Sequence, residues 1–427
     1  MELKIAKISG LRGVIKVPGD KSISHRALII GSLTSGKTSI LNFLSAADCL
    51  STLACIQALD VRVEILKPGS LIIHGVGLHG LKEPQDVLNV GNSGTTLRVL
   101  PGVLAGQNFF SVLTGDQSIR RRPMDRVVDP LRQMGAQIWA RNDGYAPIAI
   151  LGRSLHGITY TMPISSAQVK TCLLLAGLLA EGKTIITEPH QSRDHTERML
   201  KFLGADINIR GTSYSITGQS SLESGEISIP GDVSSTAFLI VGALITPQSE
   251  LIIKDVGVNP TRTGALEVLK KMGAHIELED FCVKSDEPRA DILVKSSKLS
   301  GVTIGGEIIP RLVDELPVLA VAATQAEGIT VVKDAQELRV KETDRISATC
   351  TNLRKLGADI EELEDGFIVK GPTKLKGTVC RSYGDHRMAM ALSIAGLVAE
   401  GTTIIEGSEC IDISFPGFEK ALRDLIC

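Results

Sequence analysis

The sequence lacks every cysteine and histidine spacing that is typical of a metal site. None of its eight cysteines forms a C-x-x-C pair, and its eight histidines form neither an H-E-x-x-H nor an H-x-H arrangement. Scattered thiols without such spacing are typical of reduced cysteines in a cytosolic protein. We therefore expect no metal, no other cofactor and a cytoplasmic location.

An excess of charge and a long apolar segment are also missing. The formal net charge is −2, so no overall basic field favours nucleic acid or an acidic membrane. Apolar runs such as 172–180 are too short to span a bilayer, and the N-terminus leads into no signal-type apolar core. Binding of anions must therefore depend on local clusters of cations.

Internal repetition is the strongest organisational signal in the chain. A hydrophobic residue followed by Gly-Ala ends a charged helix at 134–136, 203–205, 272–274 and 356–358, and 59–61 is a degenerate copy. The 427 residues are too many for one core and leave room for six such units.

Each unit reads as a strand, a buried helix, a strand, an outer amphipathic helix and a pair of strands. The first helix is apolar all round, as at 173–179 and 237–245. This βαβαββ order predicts an α/β fold. A solenoid is the alternative, but its repeats are usually shorter, so we favour two globular halves of three units each.

The tripeptide Pro-Gly-Asp occurs twice, about half a chain apart. This repetition suggests that the chain crosses twice from one half to the other, and two crossings define a hinge. The predicted domains are residues 19–229 and residues 1–18 plus 230–427, with a two-strand hinge near 18–20 and 229–232.

Two stretches, 31–38 and 177–184, match the P-loop pattern. A P-loop must follow a strand and start a helix, since its amides and the helix dipole hold the phosphates. These stretches follow helices and start strands. Nucleotide binding is therefore disfavoured.

Basic and acidic residues recur where the units begin. Lys21 and Arg26 flank two serines near a helix N-terminus, which attracts anions, although an ordinary helix cap is the simpler interpretation. Lys341, Glu342 and Arg345 could share one helical face or form a solvated salt-bridged surface.

A pair of carboxylates, Asp314 and Glu315, comes just before a buried helix. This pair could act in proton transfer, or it could simply cap the helix and interact with its dipole.

Several motifs together resemble one enzyme family. The similarity runs from Lys16 to about Pro416 and includes PGDKSISHR, GNSGTTLR, RRPM, SSAQVK, SRDHTE, VDELP, RVKETDR and YGDHRMAM. In this order they are similar to the EPSP synthase (3-phosphoshikimate 1-carboxyvinyltransferase) family. The resemblance implies a two-domain enolpyruvyl-transferase-like fold, with three units per domain, in a monomeric glyphosate-target enzyme of aromatic amino-acid biosynthesis.

That family transfers the carboxyvinyl group of phosphoenolpyruvate to the 5-hydroxyl of shikimate 3-phosphate and releases phosphate by addition and elimination. By the resemblance, the phosphoenolpyruvate ligands are Lys21, Gly94, Arg122, Gln168, Arg345 and Arg387. The shikimate 3-phosphate ligands are Lys21, Ser22, Arg26, Ser166, Ala167, Gln168, Asp314 and Lys341. The implied catalytic residues are Asp314 at the 5-hydroxyl, and Glu342 with Lys21 at the methylene carbon; which group performs which step stays open.

Some positions depart from the family pattern. Val99 follows Arg98 where many members have proline, and His195 stands where some members have a tyrosine that stacks on the shikimate ring. Arg98 itself is expected to serve packing or a local ion pair. Ser192 and Arg193 are further ligand candidates.

Two rival functions remain to be weighed. UDP-N-acetylglucosamine enolpyruvyltransferase shares the fold but normally uses a loop cysteine, and the corresponding loop here, 115–123, has none. A non-catalytic binding protein built of six repeats belongs to a different class. Release of phosphate from phosphoenolpyruvate would distinguish it from an enzyme.

Overall fold

A computed structural model describes residues 1–142 and 144–427. The chain forms two compact units. The terminal unit consists of Met1–Pro18, Pro230–Val283 and Pro288–Cys427. The inserted unit consists of Gly19–Ile229 with Lys284–Glu287. The predicted boundaries had assigned this last tetrapeptide to the other half; in the structure Ser285 accepts a hydrogen bond from the Ser228 amide at 2.9 Å.

The described residues contain twelve α-helices. They are α1 (Lys21–Ser32), α2 (Ala47–Ala58), α3 (Gly94–Leu104), α4 (Asp125–Gln133), α5 (Ala167–Leu179), α6 (His195–Phe202), α7 (Val233–Ile245), α8 (Gly264–Lys271), α9 (Leu316–Gln325), α10 (Arg345–Lys355), α11 (His386–Gly396) and α12 (Phe418–Arg423).

Twenty-four strands form six sheets in the same described residues. They are β1 (Glu2–Ala6), β2 (Arg12–Lys16), β3 (Thr34–Leu41), β4 (Val63–Lys67), β5 (Ser70–Val76), β6 (Leu88–Asn89), β7 (Phe110–Thr114), β8 (Gln137–Arg141), β9 (Tyr145–Leu151), β10 (Thr159–Thr161), β11 (Lys183–Thr187), β12 (Ile207–Arg210), β13 (Ser213–Thr217), β14 (Leu222–Glu223), β15 (Glu226–Ser228), β16 (Glu250–Gly257), β17 (His275–Lys284), β18 (Glu287–Lys295), β19 (Thr303–Ile304), β20 (Gly328–Val332), β21 (Asp359–Glu362), β22 (Phe367–Gly371), β23 (Val379–Arg381) and β24 (Thr402–Glu406).

Three repeats are continuous in the chain and confirm the predicted βαβαββ order. The sheets are ordered β6-β7-β9-β8, β10-β11-β13-β12 and β19-β20-β22-β21. In each, the first two strands are parallel across a buried helix, and the last two strands add antiparallel to them. The long crossover that a parallel pair requires is supplied by α3, α5 and α9.

The other three sheets are completed by strands from distant parts of the chain. Strands β14 and β15 lie parallel to β3, and β2 lies parallel to β16 although most of the inserted unit separates them in sequence. The N-terminal strand β1 pairs antiparallel with β24. Sequence periodicity could not predict these pairings, because it carries no information about which distant strand supplies the missing partner.

Each unit has its own hydrophobic core built around three inner helices. In the inserted unit α3 packs against α1 and α5, and in the terminal unit α9 packs against α7 and α11. These helices are buried because they carry few charged side chains beyond their first turns; every residue of α7 except the last is buried.

The repeated Met/Leu-Gly-Ala phrase ends an outer helix in four units. The glycines at 135, 204, 273 and 357 have φ of +94°, +91°, +97° and +93°. This left-handed conformation ends a helix and is available to glycine without a Cβ penalty. The phrase is thus a helix stop that turns the chain into the following strand.

Both P-loop matches fall at helix-to-strand connections. Helix α1 ends at Ser32 and β3 begins at Thr34, while α5 ends at Leu179 and β11 begins at Lys183. The polarity is opposite to that of a P-loop, as predicted, since neither stretch presents the N-terminus of a following helix.

Neither a membrane-crossing helix nor a metal-binding group is found in the described ranges. No helix in residues 1–142 and 144–427 is both long and apolar enough to traverse a bilayer. Within the same ranges, no three or more His, Cys, Asp or Glu side chains are grouped so that they could hold a metal ion.

Candidate active site

The terminal unit contains a cluster of alternating carboxylates and cations, here called the carboxylate–guanidinium cluster. Its members come from the starts of α9, α10 and α11 and from the segments that precede them. They are Asp314, Glu315, Lys341, Glu342, Arg345, Asp385 and Arg387.

Arg345, the first residue of α10, is the centre of this cluster. Its Nε donates to Asp385 Oδ2 at 2.7 Å, its Nη1 to Asp314 Oδ1 at 3.1 Å and its Nη2 to Glu342 Oε2 at 2.6 Å. The side chain is 1% exposed. A solvated salt-bridged surface is therefore the wrong interpretation of this segment: Lys341 and Glu342 precede the helix, and a buried guanidinium organises them.

Asp314 faces three cations at once. Besides Arg345 at 3.1 Å, its carboxylate lies 3.7 Å from Lys341 Nζ and 3.7 Å from Arg387 Nη2. The helix-cap interpretation of the Asp314–Glu315 pair is not borne out, because Glu315 holds the cap position of α9 without a side-chain cap hydrogen bond. The pair is directed toward cations instead.

Burial and charge act in opposite directions on the cluster. Burial by itself would lower the pKa of Arg345, but the carboxylates of Asp385, Glu342 and Asp314 raise that pKa above its ordinary value. Arg345 is thus a permanent cation, while Lys341 and Glu342 retain about a quarter of their side-chain exposure, 24% and 23%. Two ionisable side chains remain accessible beside a fixed buried charge.

In the inserted unit, Lys21 opens α1 beside the cap residue Asp20. The Asp20 side chain accepts a hydrogen bond from the Ile23 amide at 2.9 Å, which starts the helix as predicted. Lys21 Nζ lies 2.5 Å from Asp48 Oδ2 and is 17% exposed. Asp48, which the sequence did not single out, therefore orients the Lys21 ammonium.

Arg26 lies five residues after Lys21 in α1 and is almost fully buried. Its guanidinium donates to Thr196 Oγ1 at 2.7 Å, to Thr171 Oγ1 at 2.8 Å and to the carbonyls of Ser22 at 2.9 Å and Ala167 at 3.4 Å. Burial lowers its pKa to about 10, which still leaves it protonated at neutral pH. Arg26 thereby connects α1 with α5 and α6.

Gly94, the first residue of α3, lies directly against Arg122. A Cβ added at Gly94 would come within 2.7 Å of Arg122 Nη1. Arg122 Nη2 donates to Asn92 Oδ1 at 3.2 Å, and Asn92 donates to Asp116 Oδ2 at 2.5 Å. The absence of a side chain at Gly94 thus allows this guanidinium to approach the helix N-terminus closely.

Gln168 lies in the first turn of α5 and is held from α3. Its Oε1 accepts from Arg98 Nη1 at 2.8 Å, and its Nε2 donates to Thr95 Oγ1 at 3.0 Å. The sequence predicted packing or a local ion pair for Arg98. Its hydrogen bond to Gln168 makes it a residue that orients a predicted ligand. Ser166 caps α5, accepting from the Val169 amide at 3.5 Å.

Comparisons with known proteins decide the family. A family model for EPSP synthase (3-phosphoshikimate 1-carboxyvinyltransferase) matches residues 5–422. The chain belongs to this family.

Curated relatives and solved structures agree with this membership. The chain is 52% identical to the 3-phosphoshikimate 1-carboxyvinyltransferase of Desulforamulus reducens, with 100% of both chains covered. It is 55% identical to that of Desulforudis audaxviator, covering 100% of this chain and 99% of the relative. EPSP synthase from Acinetobacter baumannii matches in structure with a TM-score of 0.90 and 44% identity, covering 100% of this chain and 98% of that one.

A more distant structure shows the fold alone. The enolpyruvyl transferase NikO from Streptomyces tendae has a TM-score of 0.83 at 19% identity, covering 99% of this chain and 97% of that one. The predicted two-domain enolpyruvyl-transferase fold is confirmed.

Sequence reasoning did not single out Asp385, a member of the carboxylate–guanidinium cluster. Asp385 accepts from Arg345 Nε and also caps α11, accepting from the Arg387 amide at 2.9 Å. It stands just before a buried helix, as Asp20 and Asp232 do. This repeated cap position was the available signal.

The loop before α6 supplies further candidates. Arg193 Nη1 donates to Ser22 Oγ at 3.3 Å, and Ser192 is buried. His195 is 2% exposed and its Nδ1 lies 2.7 Å from Glu287 Oε1. Arg193 therefore contacts α1 directly, while His195 is held by the 284–287 segment.

A buried ion cluster fixes the same loop. Lys170 Nζ is fully buried, 2.8 Å from Glu188 Oε1 and 2.7 Å from Glu197 Oε1. Glu188 Oε1 also accepts from the Ser192 amide at 2.9 Å and from the Tyr214 hydroxyl at 2.7 Å. Burial raises the pKa of Glu197, and Lys170 partly opposes that rise.

Lys170→Met should lower the free energy of unfolding by about 3–5 kcal/mol, because it leaves two buried carboxylates without their cation. Lys201→Met is the matched control, since Lys201 lies on the exposed face of α6. Urea denaturation followed by circular dichroism checks this prediction. Equal midpoints for the two variants would show that the buried cation does not stabilise the fold.

Proposed function

We propose that this chain transfers the carboxyvinyl group of phosphoenolpyruvate to the 5-hydroxyl of shikimate 3-phosphate and releases phosphate. The observation that carries the proposal is Arg345, one buried guanidinium that hydrogen-bonds both Asp314 and Glu342. Two positioned carboxylates suit a reaction that must take a hydroxyl proton and protonate a carbon.

The addition step uses these two carboxylates differently. Asp314 takes the proton of the 5-hydroxyl as that oxygen bonds to C2 of phosphoenolpyruvate. Glu342, together with Lys21, delivers a proton to the methylene carbon, which becomes a methyl group. Three cations within 3.1–3.7 Å hold the Asp314 carboxylate in place.

In the elimination step, the proton transfer at the methyl carbon runs in the opposite direction. A proton leaves the new methyl group, the C2–O bond to phosphate breaks and the enol ether forms. The group that protonated the methylene has lost its own proton and can accept this one. The departing phosphate takes up the proton that Asp314 removed from the 5-hydroxyl, and guanidinium groups stabilise its remaining negative charge through paired hydrogen bonds.

Phosphoenolpyruvate binding is assigned to Lys21, Gly94, Arg122, Gln168, Arg345 and Arg387. Arg345 uses four of its five N–H groups on Asp314, Glu342 and Asp385. Among the described residues this leaves one Nη1 hydrogen for a ligand. The Gly94 turn adds a helix N-terminus beside Arg122, and such a terminus favours anions.

Shikimate 3-phosphate binding is assigned to Lys21, Ser22, Arg26, Ser166, Ala167, Gln168, Asp314 and Lys341. The N-termini of α1 and α5 carry six of these residues. The contact of Arg193 with Ser22 Oγ supports a place for Arg193 in the same subsite.

The finer properties belong to the same proposal. The chain acts as a monomer in the cytoplasm, its two crossings near 18–20 and 229–232 serve as a hinge, and glyphosate inhibits it as a mimic of phosphoenolpyruvate. UDP-N-acetylglucosamine is disfavoured as acceptor, since the loop 115–123 has no cysteine.

Phosphate release tests the function directly. The purified chain is given phosphoenolpyruvate with either shikimate 3-phosphate or UDP-N-acetylglucosamine, and phosphate is measured against time. We expect release with the first acceptor only. Release with the second would assign the rival activity, and binding of shikimate 3-phosphate without release from either pair would assign a non-catalytic binding protein.

A further inference from the structure

Four buried side chains form an unbroken hydrogen-bonded chain in the inserted unit. His25 Nδ1 lies 2.6 Å from Thr52 Oγ1, which lies 2.6 Å from Thr96 Oγ1, which lies 2.6 Å from Ser93 Oγ. All four residues are fully buried. We refer to His25, Thr52, Thr96 and Ser93 as the His25 chain.

His25, Thr52 and Ser93 of the His25 chain each lie next to, or one helical turn from, a residue of the candidate site. His25 is one turn after Lys21 on α1, and Thr52 is one turn after Asp48 on α2. The Lys21–Asp48 ion pair and the His25–Thr52 hydrogen bond therefore both join α1 to α2, one helical turn apart.

The other end of the His25 chain is Ser93, the residue before Gly94. Ser93 Oγ accepts from the Thr96 amide at 3.2 Å and so caps α3, whose first residue is Gly94. Thr52 is the link from α2 to this cap. The His25 chain consequently connects the starts of the three helices that carry Lys21, Asp48 and Gly94.

The polar groups of this chain depend on one another because water does not reach them. An unmade hydrogen bond at such a buried site leaves its partner with an uncompensated desolvation penalty. Burial lowers the pKa of His25 well below its usual range, with added repulsion from Lys21 and Arg26, so the imidazole is neutral. The chain therefore acts by fixed geometry without a charge of its own.

We propose that the His25 chain positions the phosphoenolpyruvate subsite, with Thr52 as its central positioning residue. This inference rests on the proposed function, because it assumes that Lys21 and Gly94 face phosphoenolpyruvate. Thr52 touches neither substrate in this account. It acts by fixing the start of α3 relative to those of α1 and α2.

Thr52→Val is the direct test, since valine keeps the shape of threonine and removes the hydroxyl that joins both neighbours. We expect KM for phosphoenolpyruvate to rise about tenfold, while KM for shikimate 3-phosphate changes less than twofold. Thr52→Ser restores a hydroxyl and should return KM to near the unmodified value. A general loss of packing would not be rescued by serine, which has fewer atoms.

Thr38→Val is the matched control. Thr38 is another fully buried threonine of the inserted unit, and its hydroxyl lies 3.0 Å from that of Thr34, within β3. We expect this variant to leave both KM values unchanged. Thr96→Val breaks the His25 chain at α3. It replaces Thr52→Val in the test if that variant does not fold.

The outcomes distinguish a failure of the positioning role from a failure of the proposed function. An active unmodified chain whose Thr52→Val and Thr96→Val variants keep the KM for phosphoenolpyruvate would overturn the positioning role alone. Equal increases in both KM values, matched by Thr38→Val, would also overturn it, because they indicate a general structural effect. An unmodified chain that releases no phosphate would overturn the proposed function itself.

Discussion

Glu342→Gln should lower kcat by a factor of about 10²–10⁴ while shikimate 3-phosphate still binds. Glutamine has the shape of glutamate and keeps an oxygen that can accept the bond from Arg345 Nη2, now 2.6 Å long. What it loses is the ability to give up and take back a proton. If Glu342 exchanges the proton of the methylene carbon, both halves of the reaction lose their proton carrier.

The measurement is steady-state phosphate release together with calorimetric binding of shikimate 3-phosphate. Glu362→Gln is the matched control: Glu362 also accepts from an arginine, Arg339, at 3.1 Å, and its exposure of 29% is close to the 23% of Glu342. The control should retain its kcat. Near-normal turnover of Glu342→Gln would assign the proton transfer at carbon to Lys21 or Asp314.

Gly94→Ala should raise KM for phosphoenolpyruvate about ten- to hundredfold, equivalent to the 1.5–3 kcal/mol of a hydrogen bond to a charged group. The new methyl group would lie 2.7 Å from Arg122 Nη1, which is too close for a carbon–nitrogen contact. The flexible end of the arginine must move away and loses its position beside the α3 N-terminus. Glyphosate should be weakened as well, because it would use the same guanidinium.

Gly225→Ala provides the control for Gly94→Ala. A Cβ at Gly225 would meet its nearest neighbours at 3.8 Å, an ordinary van der Waals distance. Initial rates at varied phosphoenolpyruvate, with and without glyphosate, give KM and the inhibition constant for both variants. An unchanged KM in Gly94→Ala, or a glyphosate constant that does not move with it, would remove Arg122 from the phosphoenolpyruvate subsite.

Local features of the site were predictable because they depend on residues that are neighbours in sequence. Asp20 caps α1, and Lys21 follows it at the helix N-terminus, as the Pro-Gly-Asp-Lys-Ser pattern indicates. The helix stops at Met/Leu-Gly-Ala likewise need only a glycine with positive φ. Such signals repeat, so the six-unit organisation could be recognised.

Partners from distant segments were not predictable in the same way. Asp48 holds Lys21, Arg98 holds Gln168, and Asp385 holds Arg345, across sequence separations of 27, 70 and 40 residues respectively. Nothing in the sequence around Arg98 distinguishes a ligand-orienting arginine from one that serves packing. The choice depends on which helix lies opposite.

The sequence by itself determined the repeated α/β organisation, the helix caps and the positions at which charged residues gather, because periodicity and capping act over a few residues. Only the tertiary structure decided that Asp314 and Glu315 turn toward cations instead of capping α9, and that Arg345 is a buried centre instead of a surface charge. Burial and the packing of distant helices set these outcomes, since the strength of an ion pair depends on the solvent that surrounding elements exclude.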